Sequence, residues 1–227
     1  MKQVCFAAHD YLGTEGAFPT GTYPSATLPP ENRLSWLVIL LPYLERDDLW
    51  SWTDWDQPWN GDSNRHLVNA EIKLLLCPAG ESNNASPAIG LTQYVGMAGI
   101  GADAPMLSTK DKRAGLFGYD SSVHLDDVKD GTSNTIMIME TATDLGPWAA
   151  GGPATVRGLD PDGQPYLATD GQFGLKHRKD TIFRTNPVGA NAALVDGSVR
   201  WLPSSISART LEALVTIAGG DEVENDF

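Results

Sequence analysis

The chain has 227 residues, 41% hydrophobic and 20% charged, which excludes a disordered polymer and a membrane-embedded bundle and leaves a globular protein with a real core. Sixteen Lys and Arg stand against 29 Asp and Glu, so the formal charge of −13 argues against nucleic acid, whose binding relies on basic side chains displacing counterions. Cys5 and Cys77 are the only cysteines, too few for a paired-cysteine zinc site or a disulfide-dense scaffold, and they stand open as one disulfide or two separate thiols.

Val4, Ala7, Ala8, Tyr11 and Leu12 form one apolar stripe at helical spacing, with Gly13 placed to stop it. Nothing ahead of Val4 is an N-cap, and the stripe starts as though a longer helix continued upstream of Met1. Residues 14–32 are turn-rich, with Phe18-Pro19, Tyr23-Pro24 and Pro29-Pro30, and read as an extended surface segment. Ser35 is placed to cap an apolar helix from Trp36 to Trp50 that bends or restarts at Pro42. Trp50, Trp52, Trp55 and Trp59 follow, readable as a satellite core clamping loops or as a ligand platform of stacking rings.

Ile72–Cys77 and Thr92–Val95 read as short strands, and Thr135–Met139, almost wholly apolar, as a central one entered through the turn Asp130-Gly131-Thr132-Ser133-Asn134. Residues 141–190 are rich in Gly and Pro and read as long loops with two edge strands. Ala190–Val195 and Ser198–Leu202 flank Asp196-Gly197, the pair suited to a type I′ hairpin turn. Ser207 is placed to cap a last helix with the stripe Leu211, Leu214, Val215 and Ala218, ended by Gly219-Gly220 and an acidic tail. With no repeat and no dividing linker, residues 1–227 read as one α+β domain, helices on one face of an antiparallel sheet.

No Gly-x-Ser-x-Gly elbow, phosphate-cradling glycine loop or His-Glu-x-x-His helix is present, and His9, His66, His124 and His177 stand alone in sequence. A non-enzymatic protein is the expectation. Carboxylates are the better ligand candidates, because calcium takes several hard oxygens from loops: Asp160 and Asp162 in one loop, Asp126, Asp127 and Asp130 near the turn before the third strand. Neither group matches the twelve-residue calcium loop, so solvated acidic loops are the competing reading.

Several segments, in order, resemble one family. They run from Lys2-Gln3-Val4 through His9-Asp10-Tyr11 and Gly16-Ala17-Phe18-Pro19 to Ser35-Trp36 and Leu41-Pro42-Tyr43-Leu44-Glu45. Trp55-Asp56-Gln57-Pro58-Trp59-Asn60, Leu76-Cys77-Pro78 and Thr92-Gln93-Tyr94-Val95-Gly96 follow, and Asp130–Thr135 and Gly189–Val199 complete the set. This order is similar to the prepilin-type, pseudopilin-like proteins of planctomycete bacteria, whose soluble part is a domain of unknown function also labelled extracellular solute-binding.

The resemblance implies a type IV pilin-like fold, with residues 1–13 the second half of a long helix and 14–227 the globular part. It also implies a membrane anchor upstream, a periplasmic or cell-surface location, and type II secretion or pilus-like assembly with other pseudopilin-like subunits or secretion-system proteins as partners. The alternative is an extracytoplasmic carbohydrate- or ligand-binding module built on the Trp cluster. Relatives carry a Cys just upstream of where this chain begins and a small residue at the position of Cys5, which implies a buried thiol there. They also carry a His closer to the hairpin Asp-Gly than His177 is, so no role is carried over to His177.

Overall fold

The structure is a computed structural model and describes residues 1–78, 89–168, 171–173 and 188–221. The helices are α1 (Lys2–Glu15), α2 (Trp36–Ile39), α3 (Asp47–Trp50), α4 (Arg65–Asn69) and α5 (Ala208–Leu214). The strands are β1 (Leu91–Thr92), β2 (Tyr94–Ile100), β3 (Ile136–Glu140), β4 (Gly146–Pro147), β5 (Val156–Leu159), β6 (Gly189–Leu194) and β7 (Val199–Pro203). Five strands make one sheet in the order β5-β2-β3-β6-β7, and β1 pairs with β4 beside it. The α+β class expected from the sequence stands. The sheet is antiparallel except that β5 runs parallel to β2, which makes it mixed.

Helices cover both faces of this sheet rather than one. On one face α1 and α2 pack Val4, Cys5, Ala7, Ala8, Trp36 and Leu37 against Tyr94, Ala98, Met137, Ala193 and Val195. On the other, Leu211, Leu214 and Val215 meet Val95, Met97, Met139, Ala192 and Leu202. The alternation along β6 sends Ala190, Ala192 and Leu194 to the α5 side and Ala193 and Val195 to the α1 side, as the two-residue period of a strand requires. A strand buried on both faces has no polar positions to show, which is why β3 reads as a continuous apolar run. Its register slips between Ile136 and Ile138, and that bulge puts the neighbours Met137 and Ile138 on one side.

Helix α1 runs three residues past the expected stop. Gly13 sits within it with open space around its Cα, whereas Gly16 takes the left-handed conformation (φ 79°) and donates its N–H to Leu12 O at 2.8 Å. The helix expected over 36–50, with a bend or restart at Pro42, breaks there and further still, into three short pieces: α2, a 3₁₀ turn at Leu41–Leu44 and α3. Pro42 lies in the 3₁₀ turn, and Glu45 then adopts a left-handed conformation at φ 58°. Ser35 does not cap: its hydroxyl donates to Trp148 O at 2.6 Å, tying this segment to the strand region.

Ile72–Cys77 is not a strand but a 3₁₀ turn at Lys73–Leu75, because its backbone meets Gln93 at two points only, Gln93 N to Leu75 O and Cys77 N to Gln93 Oε1. The β6–β7 hairpin forms as expected, with another turn. Gly197 has φ 86° and its N–H bonds Leu194 O, while Asp196 does not take positive φ, so the connection is a three-residue loop with glycine at its left-handed position, not type I′. Ser207 caps α5 by accepting from Thr210 N at 3.0 Å, and the helix ends at Leu214, ahead of Gly219-Gly220.

The segment Asp130–Thr135 is a junction rather than a simple turn. Its backbone accepts Asp196 N at Thr132 O and Val195 N at Thr135 O, and the Thr135 hydroxyl donates to Gly131 O and Thr216 O. The Asp130 carboxylate accepts from Thr216 Oγ1 (2.9 Å), Gly219 N (2.8 Å) and Gly220 N (2.9 Å), holding the segment after α5. The acidic tail beyond Asp221 lies outside the described residues. No helix among the described residues is long and apolar enough to cross a membrane.

Candidate functional site

The tryptophans separate into two environments. Trp50 and Trp55 pack edge to face with ring centroids 4.5 Å apart, and Tyr23 lies 4.6 Å from Trp55. Trp59 is pinned at both ends, its ring N–H donating to Glu31 O and its backbone N–H to Asn32 O. All three rings lean on the α1-side core. Trp52 is different: 78% of it is exposed and no ring stacks on it among the described residues. Three of the four rings thus clamp the 23–32 and 50–59 loops together, and one faces solvent.

The expected calcium carboxylates do not converge with others. Asp160 Oδ1 accepts Asp162 N at 3.1 Å, a local turn, while the Asp162 side chain is exposed. Asp127 accepts His124 N, and Asp130 is engaged by the three donors named above. Among the described residues no group of three or more His, Cys, Asp or Glu is placed to hold a metal ion.

No disulfide joins Cys5, which is buried, to Cys77, which is half-buried. The Cys5 thiol faces Leu194 O at 3.9 Å, and burial, reinforced by the Asp196 carboxylate, pushes its pKa up to about 11. It is a core residue rather than a nucleophile. His9, one turn along α1, sets its ring edge to face against Phe18 with Nε2 buried and unpartnered among the described residues. His66 and His124 contact the carbonyls of Ser63 and Gly16 through Nδ1, local structural roles. His177 lies outside the described residues.

A cavity of about 400 Å³ opens beside the edge strand β5, between Arg157, Asp160, Asp144, Tyr119, Gln172 and the apolar walls Pro105 and Val156. Arg157 gives it a fixed cation. Its Nε donates to Pro153 O at 2.8 Å, Nη1 to Thr143 O at 3.0 Å and Nη2 to Asp144 O. All three acceptors are main-chain carbonyls, and burial pulls the guanidinium pKa down without discharging it. Gln172 braces the opposite wall, accepting Asp160 N at 2.9 Å and donating to Gly158 O at 2.8 Å.

Of these residues only Asp160 is a candidate from the sequence alone. The others come from five separate segments, most of them in the stretch that reads as featureless loop. The one usable signal was a lone Arg between Gly- and Pro-rich turns.

No curated protein and no solved structure matches the chain. Residues 1–209 match the family labelled SBP_bac_10 and described as "protein of unknown function (DUF1559)", in agreement with the solute-binding label that the resemblance carried. With all but the last residues matched, the chain belongs to that family.

Proposed function

We propose that this chain is the extracytoplasmic part of a pseudopilin-like, prepilin-type subunit, displayed outside the cytoplasmic membrane by an anchor that continues α1 upstream, with assembly rather than catalysis as its task. The observation that carries this reading is the seat of α1. Its stripe of small side chains, Val4, Cys5, Ala7 and Ala8, is buried along the middle of the sheet, as a helix needs in order to dock a globular part rigidly to what precedes it. Its outward face presents Lys2, Gln3 and Asp10, and a half-exposed Phe6 with the Lys2 ammonium 5.6 Å from its ring. An exposed aromatic on such a helix suits packing against a neighbouring subunit. The family match and its solute-binding label support an extracytoplasmic location. The two apolar clusters share one sheet, which supports reading residues 1–227 as one folding unit.

Photocross-linking from position 6 of the full-length protein in the cells that make it tests this directly. Adducts with further copies of the chain, or with secretion-system proteins, are expected, and they should be lost with Phe6→Glu. A monomer with no adduct overturns the assembly role.

Trp52 favours a second reading, a carbohydrate-binding module, since a solvent-facing indole beside packed aromatic rings is a stacking surface. Intrinsic fluorescence titrated with a panel of neutral glycans is expected to shift in that case and to lose the shift in Trp52→Ala. An unmoved spectrum leaves the cluster a clamp for loops.

A further inference from the structure

We infer that the cavity beside β5 is a binding site for a small solute that carries one carboxylate and several hydrogen-bond donors, a uronic acid or an α-amino acid. The inference goes beyond the assembly reading and does not depend on it.

The argument starts from Arg157. A guanidinium carries five N–H donors, and three of them are committed to the carbonyls of Pro153, Thr143 and Asp144. These contacts fix the plane of the group without neutralising it. No carboxylate among the described residues lies within ion-pair distance of it, the Asp144 charge acting only from further off, whereas the buried Arg33 is paired directly with Asp120. Arg33 shows what a structural arginine looks like in this fold: its Nε donates to Leu28 O, Nη1 to Asp120, and the residue is 9% exposed. Arg157, half-buried, is braced by three backbone carbonyls but has no carboxylate in direct contact among the described residues, and it lines an open volume of about 400 Å³. That volume falls in the range of small-molecule sites, and a carboxylate is the ligand group whose two oxygens match the two donors left over.

The remaining groups set the rest of the ligand. Asp160 Oδ1 is used by Asp162 N and its other oxygen carries no hydrogen bond among the described residues. Asp144 is exposed at the rim, held by a left-handed backbone at φ 51°. The Tyr119 hydroxyl likewise has no partner among the described residues. One cation between two carboxylates leaves the site acidic overall, so phosphate or a dicarboxylate is disfavoured. Hydroxyl or ammonium donors are what the two carboxylates would accept. Gln172 spends both ends of its amide on backbone, so it positions the wall and does not select.

The experiment is isothermal titration of the full chain with galacturonate, alanine, galactose and inorganic phosphate. Binding of galacturonate or alanine, stronger than that of galactose and phosphate by about tenfold or more, is expected, and which of the two acids binds names the source. Arg157→Gln removes the charge and should weaken binding by about tenfold or more. Because that change also loosens three backbone contacts, Ala102→Trp serves as the second variant: Ala102 is exposed at the mouth, so a ring there fills the cavity without touching the bracing. Loss of binding in both variants, with unchanged circular dichroism in Ala102→Trp, supports the site. No heat with either acid, equal binding of galactose, or binding untouched in Ala102→Trp overturns it.

Discussion

Asp130 shows how much of this fold hangs on single side chains. Its carboxylate gathers one hydroxyl and two backbone N–H groups from the chain after α5, and charged hydrogen bonds of this kind contribute about 1.5–3 kcal/mol each before any loss is shared. Asp130→Ala should destabilise the protein by about 2–4 kcal/mol in urea unfolding, whereas Asp162→Ala, at an exposed carboxylate, should stay within about 0.5 kcal/mol.

Cys5 makes a pH prediction of definite sign. Its folded pKa is raised from 9.0 to about 11, so the folded state holds the thiol proton more tightly than the unfolded one. That contribution is fully present below pH 9 and is lost as the pH rises through 11. Urea midpoints should therefore fall between pH 9 and 11, and Cys5→Ala should flatten that part of the fall. At pH 8 a thiol reagent should label the half-buried Cys77 and spare Cys5 in the native protein.

At the scale of elements, the sequence was legible wherever periodicity and a cap agreed and opaque where tertiary contacts decided. The α1 stripe, the central strand β3, the β6–β7 hairpin and the Ser207 cap of α5 are all readable from residue spacing. In Trp36–Trp50 the break at Pro42 is legible and its extent is not, because Trp36–Leu41, buried throughout, has no period to show where the helix stops, and Glu45 then takes a left-handed conformation. Ile72–Cys77 has strand composition but bonds residues 92–94 mostly through the side chains of Thr92, Gln93 and Tyr94 rather than by a backbone ladder, a fact that no local pattern contains.

The Asp-Gly turn was found and its type missed, since whether Asp196 takes positive φ depends on the loop length that the register imposes. In the aromatic cluster, Trp55→Ala should cost about 2–3 kcal/mol, through lost contacts with Trp50 and Tyr23, while Trp52→Ala should cost under about 0.5 kcal/mol. Gly99→Ala should prevent stable folding: at φ 108° the new Cβ would sit 1.9 Å from Arg113 O, and thermal melting of the purified variant reads the result.

Across the whole molecule, one mixed sheet separates two apolar layers. The α1 layer fixes the helix that would lead to an anchor, with its exposed Phe6 face turned outward. The cavity with its Arg157 cation opens at the β5 edge of the sheet. The proposed display and the proposed solute recognition would therefore use different residues. The candidate site was the least legible part of the sequence, because its cation is meaningful only for the carboxylate it lacks, and a missing ion pair leaves no trace in a chain of letters.

The central claim, a displayed prepilin-type subunit, is tested most directly by mass spectrometry of the mature N-terminus, on protein recovered from the membrane fraction of the cells that make it. The account predicts a processed, methylated N-terminus followed by ~20 apolar residues running without interruption into Lys2 of α1. A mature protein in the soluble fraction, with an unprocessed start and no apolar segment ahead of α1, contradicts it.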